Sequence, residues 1–426
     1  MRGLHGTDDG VDLLPPAAAR RRALVDALLD SFVGWGYRQV VTPMVERYEV
    51  LAAGLSEADR AHVVRFVSGP ASQVVALRSD VTPQIARMVA HHRGTTWPAD
   101  AVLRLAYTAD VVRQPADARE KTEQHQIGVE FVGDASPAAD AELVALAHAA
   151  LKRVGLTGFR FDMSHRGIAH RVLDGLGLEP DDRRAVEARL ARKDRGGLEA
   201  LLVGKGIAPR QAVAVGSLCD AYGRPEVIDR IADLGADLGA GRGAADGLQT
   251  LRAIVEHVHA ASPDAADILD VDLGEVRGFD YYTGTRLRAW APGVAAPVLR
   301  GGRYDDLVGR FGAAAPATGF ALDLDALQQA LGDRGPTPGG RSGRLIALHP
   351  DCEPTARIEA SRVAATARGA GEPAWIQDSL SLLDAQAVAR DAGAGALTYF
   401  QPDEAGGMAV VRFRRAQDTP SNWTRE

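Results

Sequence analysis

The sequence predicts an α+β protein in which a mixed, largely antiparallel sheet is flanked by helices, interrupted by a helical insertion and followed by a small C-terminal α/β domain. Strand-like segments such as 101–113 and 125–133 alternate along the chain with helix-like segments. Residues 180–265 are rich in Ala, Leu, Arg and Glu with Gly and Pro at the breaks, which is typical of packed helices. Gly and Pro crowd out any periodic pattern in residues 331–343, so this stretch is predicted to be a linker before a domain at 344–426.

The first domain is predicted to span residues 1–330. It opens with an amphipathic helix, because Leu24, Leu28 and Phe32 recur at helical spacing before Gly36 ends the pattern. The same reasoning predicts strands at 38–43, 74–79, 101–113, 125–133, 159–164, 267–276, 281–290 and within 299–327, with helices at 81–92 and 137–155 between them.

Composition and charge limit the function. The 426 residues are enough for two or three domains, and 46% hydrophobic with 25% charged residues is the balance of an ordinary globular protein. A formal net charge of −7 argues against a protein that attracts nucleic acid over its whole surface. Cys219 and Cys352 lie far apart without a CxxC or His–Cys cluster, so we expect a reducing compartment and no metal site. Neither a membrane span nor a signal-peptide pattern is found, so we expect a cytoplasmic protein without a membrane partner.

Four motifs follow one another in a fixed order. Residues 77–82 read LRSDVT, residues 126–130 read QIGVE, residues 277–284 read RGFDYYTG, and residues 299–327 read LRGGRYDDLVGRFGAAAPATGFALDLDAL. Together with GYRQVVTPMVE at 36–46, they resemble the signature motifs of histidyl-tRNA synthetases over most of the first domain. The resemblance implies a class II aminoacyl-tRNA synthetase-like antiparallel sheet flanked by helices.

The resemblance also implies a pocket for a free amino acid. An α-ammonium group needs carboxylate and amide oxygens around it, and charge-assisted hydrogen bonds of this kind contribute about 1.5–3 kcal/mol each. Two adjacent tyrosines offer hydroxyl groups and a flat wall to an imidazole, and an arginine can take the carboxylate as a fork. The histidine-binding residues that the resemblance implies are Asp80, Thr82, Gln126, Glu130, Arg277, Tyr281 and Tyr282.

The nucleotide half of the resemblance is degenerate. Arg113 stands at the position of an ATP-binding arginine, but Pro115 replaces a glutamate that binds the adenine amino group in the synthetases. Asp323 occupies a glycine position, and Ala326 occupies the position of an arginine that grips ATP. Because an aspartate repels a triphosphate and an alanine cannot bind one, we expect little aminoacyl-adenylate chemistry and assign no catalytic residue.

A histidine-binding synthetase relative without nucleotide chemistry resembles the regulatory subunits of ATP phosphoribosyltransferase, the first enzyme of histidine biosynthesis. The resemblance implies a non-catalytic chain without cofactors that pairs with a short catalytic subunit in a hetero-octamer and transmits feedback inhibition by L-histidine. It also implies a homodimer through the segment 36–46, since Pro43 and its strand build the dimer interface of the synthetases. Residues 344–426 are similar to a shortened anticodon-binding domain, but their few basic residues predict no tRNA binding.

Two alternatives stay open at this stage. The first is an active but divergent histidyl-tRNA synthetase, which Arg113 and Arg277 favour and which Pro115, Asp323 and Ala326 oppose. The second is a stand-alone histidine-binding protein without a transferase partner.

Overall fold

The computed structural model describes residues 12–55, 60–69, 72–114, 121–238, 242–276, 281–336, 343–404, 407–415 and 423–426. The chain divides into two compact units, Met1–Pro336 and Thr337–Glu426. Among the described residues, no helix combines the length and the apolar character that crossing a membrane requires.

The first unit contains thirteen described helices and twelve described strands, apart from short 3-10 turns. The helices are α1 (Pro15–Gly34), α2 (Tyr48–Ala53), α3 (Thr82–His92), α4 (Pro137–Arg153), α5 (Arg166–Asp174), α6 (Pro180–Ala191), α7 (Arg195–Gly204), α8 (Pro209–Gly216), α9 (Val227–Ala232), α10 (Gly235–Leu238), α11 (Arg242–Ala261), α12 (Pro263–Ala266) and α13 (Leu324–Leu331). The strands are β1 (Arg38–Gln39), β2 (Val45–Arg47), β3 (Arg65–Ser68), β4 (Gln73–Leu77), β5 (Leu103–Val112), β6 (Glu123–Val132), β7 (Arg160–His165), β8 (Tyr222–Gly223), β9 (Leu269–Asp272), β10 (Thr285–Trp290), β11 (Leu299–Arg303) and β12 (Ala317–Asp323).

Nine of these strands form the central sheet, in the order β1-β5-β6-β12-β11-β10-β7-β9-β8. Every neighbouring pair from β5 to β7 is antiparallel, whereas β1 pairs parallel to β5 and β9 pairs parallel to β7. Strands β2, β4 and β3 form a separate antiparallel sheet. Helices α6 to α12 lie in the chain between β7 and β9 and make up the helical insertion. The predicted fold class, a largely antiparallel sheet flanked by helices, is confirmed.

One face of the central sheet is apolar and packs against α1 and α4. Ile127, Val129 and Phe131 of β6 join Phe320 and Leu322 of β12 in a single buried cluster with residues of both helices. Burying each large apolar side chain contributes about 1.5–3 kcal/mol, so this face fixes the register of the strands.

The opposite face is polar along β6, where side chains alternate between the two faces, whereas Leu105 and Tyr107 of β5 on the same face pack with α3 in a second buried cluster. Gln124, Gln126 and Glu130 alternate on β6 with the apolar residues of the core face. Asp323 pairs with Gln126 across β12 and β6, and Gly319 pairs with Glu130, so these positions share the polar face. Apolar clusters on both sides of the sheet stabilise the fold, and the polar part of the second face is left to form a site.

The strand predicted at 38–43 is shorter than expected. Regular pairing with β5 covers only Arg38 and Gln39, with one further hydrogen bond from Val40 N to Ala106 O of 2.8 Å. Beyond this point the carbonyl of Thr42 accepts from Arg78 Nη1 at 2.9 Å, and that of Pro43 accepts from Gln84 Nε2 at 2.9 Å. Side chains therefore take over the hydrogen bonds that a longer strand would make.

The second unit contains the strands β13 (Arg344–Leu348), β14 (Ala374–Gln377), β15 (Ala396–Pro402), β16 (Met408–Arg415) and β17 (Trp423–Arg425), with the helices α14 (Pro354–Gly369) and α15 (Leu382–Asp391). Its sheet has the order β14-β13-β15-β16-β17, parallel across the first three strands and antiparallel across the rest. Ile346 packs in the cluster of α14 and Leu345 in that of α15, so the helices cover opposite faces. This is the small α/β domain that the sequence predicts.

The start of α13 depends on a side-chain cap, which gives a local prediction. Asp323 Oδ1 accepts from Asp325 N and Ala326 N, both at 3.0 Å. Replacing Asp323 with Ala is expected to destabilise this first turn by about 1 kcal/mol, whereas Asn keeps the acceptor. Hydrogen exchange of a peptide spanning 322–331 should then be about fivefold faster in Asp323→Ala than in Asp323→Asn.

A matched control is Asp194→Ala, which removes the equivalent cap of α7, an acceptor for Gly197 N at 3.0 Å. It should leave exchange in 322–331 unchanged. Equal exchange in Asp323→Ala and the natural protein would show that the cap does not hold this turn.

Candidate functional site

A cavity of about 570 Å³, counting its open mouth, lies on the polar face of the central sheet. Six of the seven predicted histidine-binding residues line it: Asp80, Thr82, Gln126, Glu130, Tyr281 and Tyr282. The seventh, Arg277, lies outside the described residues. The cavity is also lined by Arg113, Gln124, Pro297, Arg300, Tyr304, Gly319, Phe320, Ala321 and Asp323.

Glu130 is a buried carboxyl at the centre of this cavity. Thr82 Oγ1 donates to Glu130 Oε1 at 2.7 Å, and Tyr304 Oη donates to Glu130 Oε2. Burial raises the pKa of the Glu130 carboxyl to about 8, although the hydrogen bonds from Thr82 and Tyr304 oppose the shift. A cation placed beside this carboxyl would favour its ionised form and lower its pKa.

Gly319 provides the space for this carboxyl. It pairs with Glu130 across β12 and β6, and a Cβ atom at position 319 would lie 1.8 Å from Glu130 Oε2. Gly128 plays the same part beside it, since a Cβ there would lie 2.7 Å from the hydroxyl of Tyr107. Glycine at these two positions lets side chains of the neighbouring strands extend over the backbone.

Asp80 is a second buried carboxyl. Tyr281 Oη donates to Asp80 Oδ2 at 3.1 Å, and the backbone N–H of Thr82 donates to Asp80 Oδ1 at 3.2 Å. Burial raises the pKa of Asp80, and the nearby positive charge of Arg113 lowers it in part. Asp80 precedes α3 and Glu130 lies on β6, so two segments distant in sequence bring their carboxyls to one cavity.

Three tyrosines form the aromatic wall. The rings of Tyr281 and Tyr282 have centroids 4.7 Å apart at 53°, and Tyr281 meets Tyr304 edge to face at 5.9 Å and 89°. All three rings are buried. A flat ring with polar nitrogens fits between such walls, because the rings supply apolar surface and their hydroxyls supply hydrogen bonds.

Gln126 carries an acceptor for a ligand. Its Oε1 atom is buried and has no hydrogen-bond partner among the described residues. A buried acceptor without a partner costs about 1–3 kcal/mol, and a donor from a bound ligand would remove that cost. The cavity is therefore rich in acceptors, which suits a ligand that carries an ammonium group.

Arg113 and Asp323, two of the residues predicted to mark a degenerate nucleotide site, line the same cavity. Asp323 places its carboxylate on the N-terminus of α13, which is where helices bind external anions. The neighbouring Asp325 forms ion pairs with Arg21 and with Lys121, the latter at 3.2 Å. Ala326 does not line the cavity and packs partly buried against the core. Arg113 does line it, and its Nε donates to the carbonyl of Ser79 at 2.7 Å.

Pro115 lies outside the described residues, so its predicted effect on adenine binding stays a prediction. Within the described parts of the chain, no group of three or more His, Cys, Asp or Glu side chains is placed to hold a metal ion.

The sequence reasoning did not assign Tyr304, Arg300 and Gln124 to the site. Tyr304 stood in the quoted GGRYD run, and its contact with Glu130 depends on a fold that brings residues 174 positions apart together. The alternation of side chains along a strand could have predicted Gln124, because it lies two residues before Gln126 on the same strand. Arg300 is brought to the cavity by its pairing with Ala321 on the cavity-lining strand β12, which the sequence does not reveal.

Comparison with known proteins identifies the family to which this chain belongs. A family model described as histidyl-tRNA synthetase matches residues 10–327. An ATP phosphoribosyltransferase regulatory subunit of Desulfitobacterium hafniense is 36% identical over 326 residues, which cover 76% of this chain and 81% of the relative. One from Anaeromyxobacter sp. (strain Fw109-5) is 40% identical over 322 residues, which cover 75% of this chain and 91% of the relative.

A solved structure agrees with the sequence comparisons. An ATP phosphoribosyltransferase regulatory subunit/histidyl-tRNA synthetase from Bacillus halodurans superposes with a TM-score of 0.77 at 26% identity, covering 94% of this chain and 99% of the other. The chain therefore belongs to the family of ATP phosphoribosyltransferase regulatory subunits, built on the fold of the histidyl-tRNA synthetases.

Proposed function

We propose that this chain is a non-catalytic subunit of ATP phosphoribosyltransferase in the cytoplasm, that a short catalytic subunit requires it for activity, and that it binds L-histidine as the feedback effector. One observation carries the proposal: the cavity keeps two buried carboxyls and an aromatic wall for an amino acid, while Asp323 fills the helix N-terminus that a nucleotide would need. The relatives indicate which enzyme this chain serves, and the side chains of the cavity indicate which class of ligand it binds.

The groups of the cavity match those of L-histidine. Asp80 and the unpaired Oε1 of Gln126 suit the α-ammonium group, since both are acceptors in a site with little water. Glu130 suits the N–H group of an imidazole, because its carboxyl oxygens can accept a hydrogen bond from that nitrogen. The aromatic wall suits the flat imidazole ring.

The cavity is poorly suited to ATP. A carboxylate at position 323 repels phosphate and already accepts two N–H donors of α13. Ala326 supplies no positive charge, and Asp325 is neutralised by Arg21 and Lys121. Losing one preorganised donor typically reduces a rate 10²- to 10³-fold, so a divergent synthetase is the weaker candidate even though Arg113 still lines the cavity.

The proposed assembly is a homodimer through the segment 36–46 within a hetero-octamer. Val41 is 85% exposed, and nearby Val33 and Trp35 are 60% and 39% exposed. Apolar side chains exposed together mark interaction surfaces more often than free surface. In residues 344–426 acidic side chains outnumber arginines and there is no lysine, so we propose no role for this unit in binding nucleic acid.

The first test is the formation of phosphoribosyl-ATP by the short catalytic subunit of the same genome, with and without this chain, across a titration of L-histidine. The chain should stimulate the reaction, and L-histidine should reverse the stimulation. Glu130→Gln should still stimulate but should need about tenfold or more L-histidine for half-inhibition, because it removes a charged acceptor.

Glu359→Gln is the control, because this side chain is 44% exposed on α14. It should leave both stimulation and inhibition unchanged. Absence of any stimulation would reject the regulatory role. ATP–pyrophosphate exchange that depends on L-histidine would then restore the synthetase alternative.

A second prediction concerns Gly319. Gly319→Ala should weaken binding of L-histidine about tenfold or more, because the added methyl group collides with Glu130 and overpacking at such a site costs about 1–3 kcal/mol. Gly204→Ala is the matched control, since a Cβ atom there meets nothing within 4 Å. Isothermal titration calorimetry of the two variants measures the difference, and equal affinities would contradict the assignment of the cavity.

A third prediction concerns pH. The pKa of Glu130 is about 8 in the folded chain against an ordinary 4.5, so the folded state binds more protons between these values. The stabilisation that this protonation gives is complete below about pH 4.5 and is lost as the pH rises through 8. The melting temperature of the ligand-free protein should therefore fall more between pH 6 and 8.5 than that of Glu130→Gln. Parallel curves for the two proteins would show that Glu130 is already ionised in the empty cavity.

A further inference from the structure

Arg300 is placed to act in the cavity although no motif assigned it a role. It lies on β11, pairs with Ala321 of β12 and lines the cavity together with Arg113 and Asp323. Asp323 lies two residues beyond Ala321 on the same face, so its carboxylate is a diagonal neighbour of Arg300. Arg300 therefore stands at the end where Asp323 caps α13.

The guanidinium of Arg300 is crowded but not paired. Within the residues that the structure describes, its side chain forms no hydrogen bond and no ion pair. The protein around it lowers its pKa, Asp323 opposes this effect, and the like charge of Arg113 adds to it. The side chain remains accessible from the open cavity, so an anion can reach it.

The carboxyls of the cavity and the guanidinium of Arg300 differ in their hydrogen-bond partners. The carboxyls of Asp80 and Glu130 are held by Tyr281, Thr82 and Tyr304. Arg113 and Arg300 line the same cavity, and so does a third acid, Asp323. One carboxylate oxygen of Asp323 already accepts two N–H groups at the N-terminus of α13. A ligand with an ammonium group and a carboxylate can place the ammonium group at these carboxyls and the carboxylate at Arg300.

We propose that Arg300 binds the free α-carboxylate of the amino acid, which makes the site selective for an unblocked amino acid over its neutral amide or ester. This inference rests on the proposed function and deepens it by naming the group that the site reads. A guanidinium suits this part because its planar fork matches the two oxygens of a carboxylate. Amides and esters lack the negative charge, so they offer the guanidinium of Arg300 no anionic group.

The test compares the affinities of L-histidine and L-histidine amide by calorimetry, using the full chain. The natural protein should bind L-histidine about 10- to 100-fold more tightly than the amide. In Arg300→Leu this ratio should approach one, because affinity for L-histidine falls while affinity for the amide is unchanged. Arg300→Lys should give an intermediate ratio, since it keeps the charge but loses the fork.

Arg184→Leu is the control, because this arginine is 70% exposed on α6 and does not line the cavity. It should keep the ratio of the natural protein. An unchanged ratio in Arg300→Leu would overturn the proposal and give the carboxylate to Arg113 or Arg277. Equal weakening of both ligands would also overturn it, because it would mark Arg300 as structural.

Two results separate this inference from the proposed function. If the natural protein binds L-histidine and the amide equally well, the site does not read the carboxylate and only the inference fails. If it binds neither, the proposed function fails and the inference falls with it. Inorganic phosphate is a further probe: if Arg300→Leu abolishes binding of phosphate but not of L-histidine, Arg300 serves a phosphate group and the proposal is wrong.

Discussion

The alternation of side chains along the strands of the central sheet is the constraint on which the site depends. Ile127 and Val129 of β6 are fixed against α1 and α4, so Gln126, Gly128 and Glu130 must point the other way. A slip of one residue would bury the polar set in the core and expose the apolar one. The same packing that stabilises the fold therefore holds the polar groups of the cavity at fixed positions.

This constraint explains why glycine and carboxyl positions belong together. Glu130 can lie flat on the sheet only because its partner across β12 is Gly319, and its two hydrogen bonds come from α3 and from the residue after β11. A buried carboxyl with donors from two distant parts of the chain favours a ligand whose positive charge stabilises its ionised form. The shape of the cavity therefore depends on the space above the glycine of the sheet as well as on the side chains that line it.

Under the proposed function, the N-terminus of α13 illustrates how a nucleotide site can be closed without changing the fold. The helix N-terminus of α13 keeps its position after β12, but its N–H groups donate to Asp323 of the same chain. A single carboxylate thereby replaces an external anion and repels another, and the ion pairs of Asp325 hold that acid away from the cavity lining. Such a change is local, because Asp323 lies at the end of β12, four residues beyond Gly319.

Much of this was accessible from the sequence, and the limits have physical causes. The fold class and six cavity-lining residues follow from motifs whose spacing survives in local segments, as with Asp80 and Thr82 or Gln126 and Glu130. Tyr304 and Arg300 could not be placed in the same way, because their contacts depend on the pairing of β11 with β12 across the sheet. The sequence reasoning expected Asp323 to repel a triphosphate, but only coordinates reveal that it caps a helix. The early end of β1 was also missed, because side chains of Arg78 and Gln84 take the carbonyls that a strand would use.

Helix α3 connects the cavity to the exposed segment 36–46. Its first residue, Thr82, donates to Glu130. Gln84 lies two residues later, in the same first turn, and is fully buried. It accepts from Thr42 Oγ1 at 2.8 Å and donates to the carbonyl of Pro43 at 2.9 Å. Any ligand that competes for the Glu130 carboxyl therefore acts on the first turn of the helix that positions Pro43.

The exposed Val41 lies two residues before Pro43, on the surface to which we assign self-association. Coupling of about 1–3 kcal/mol between a ligand and an interface is enough for effective regulation, and it requires that the ligand contact something the interface also depends on. Thr82 and Gln84 meet that requirement within three residues of one helix, because one holds the carboxyl of the cavity and the other holds the backbone of the surface segment. The helix is short and its two contacts are buried, so a change at one is not easily absorbed before it reaches the other.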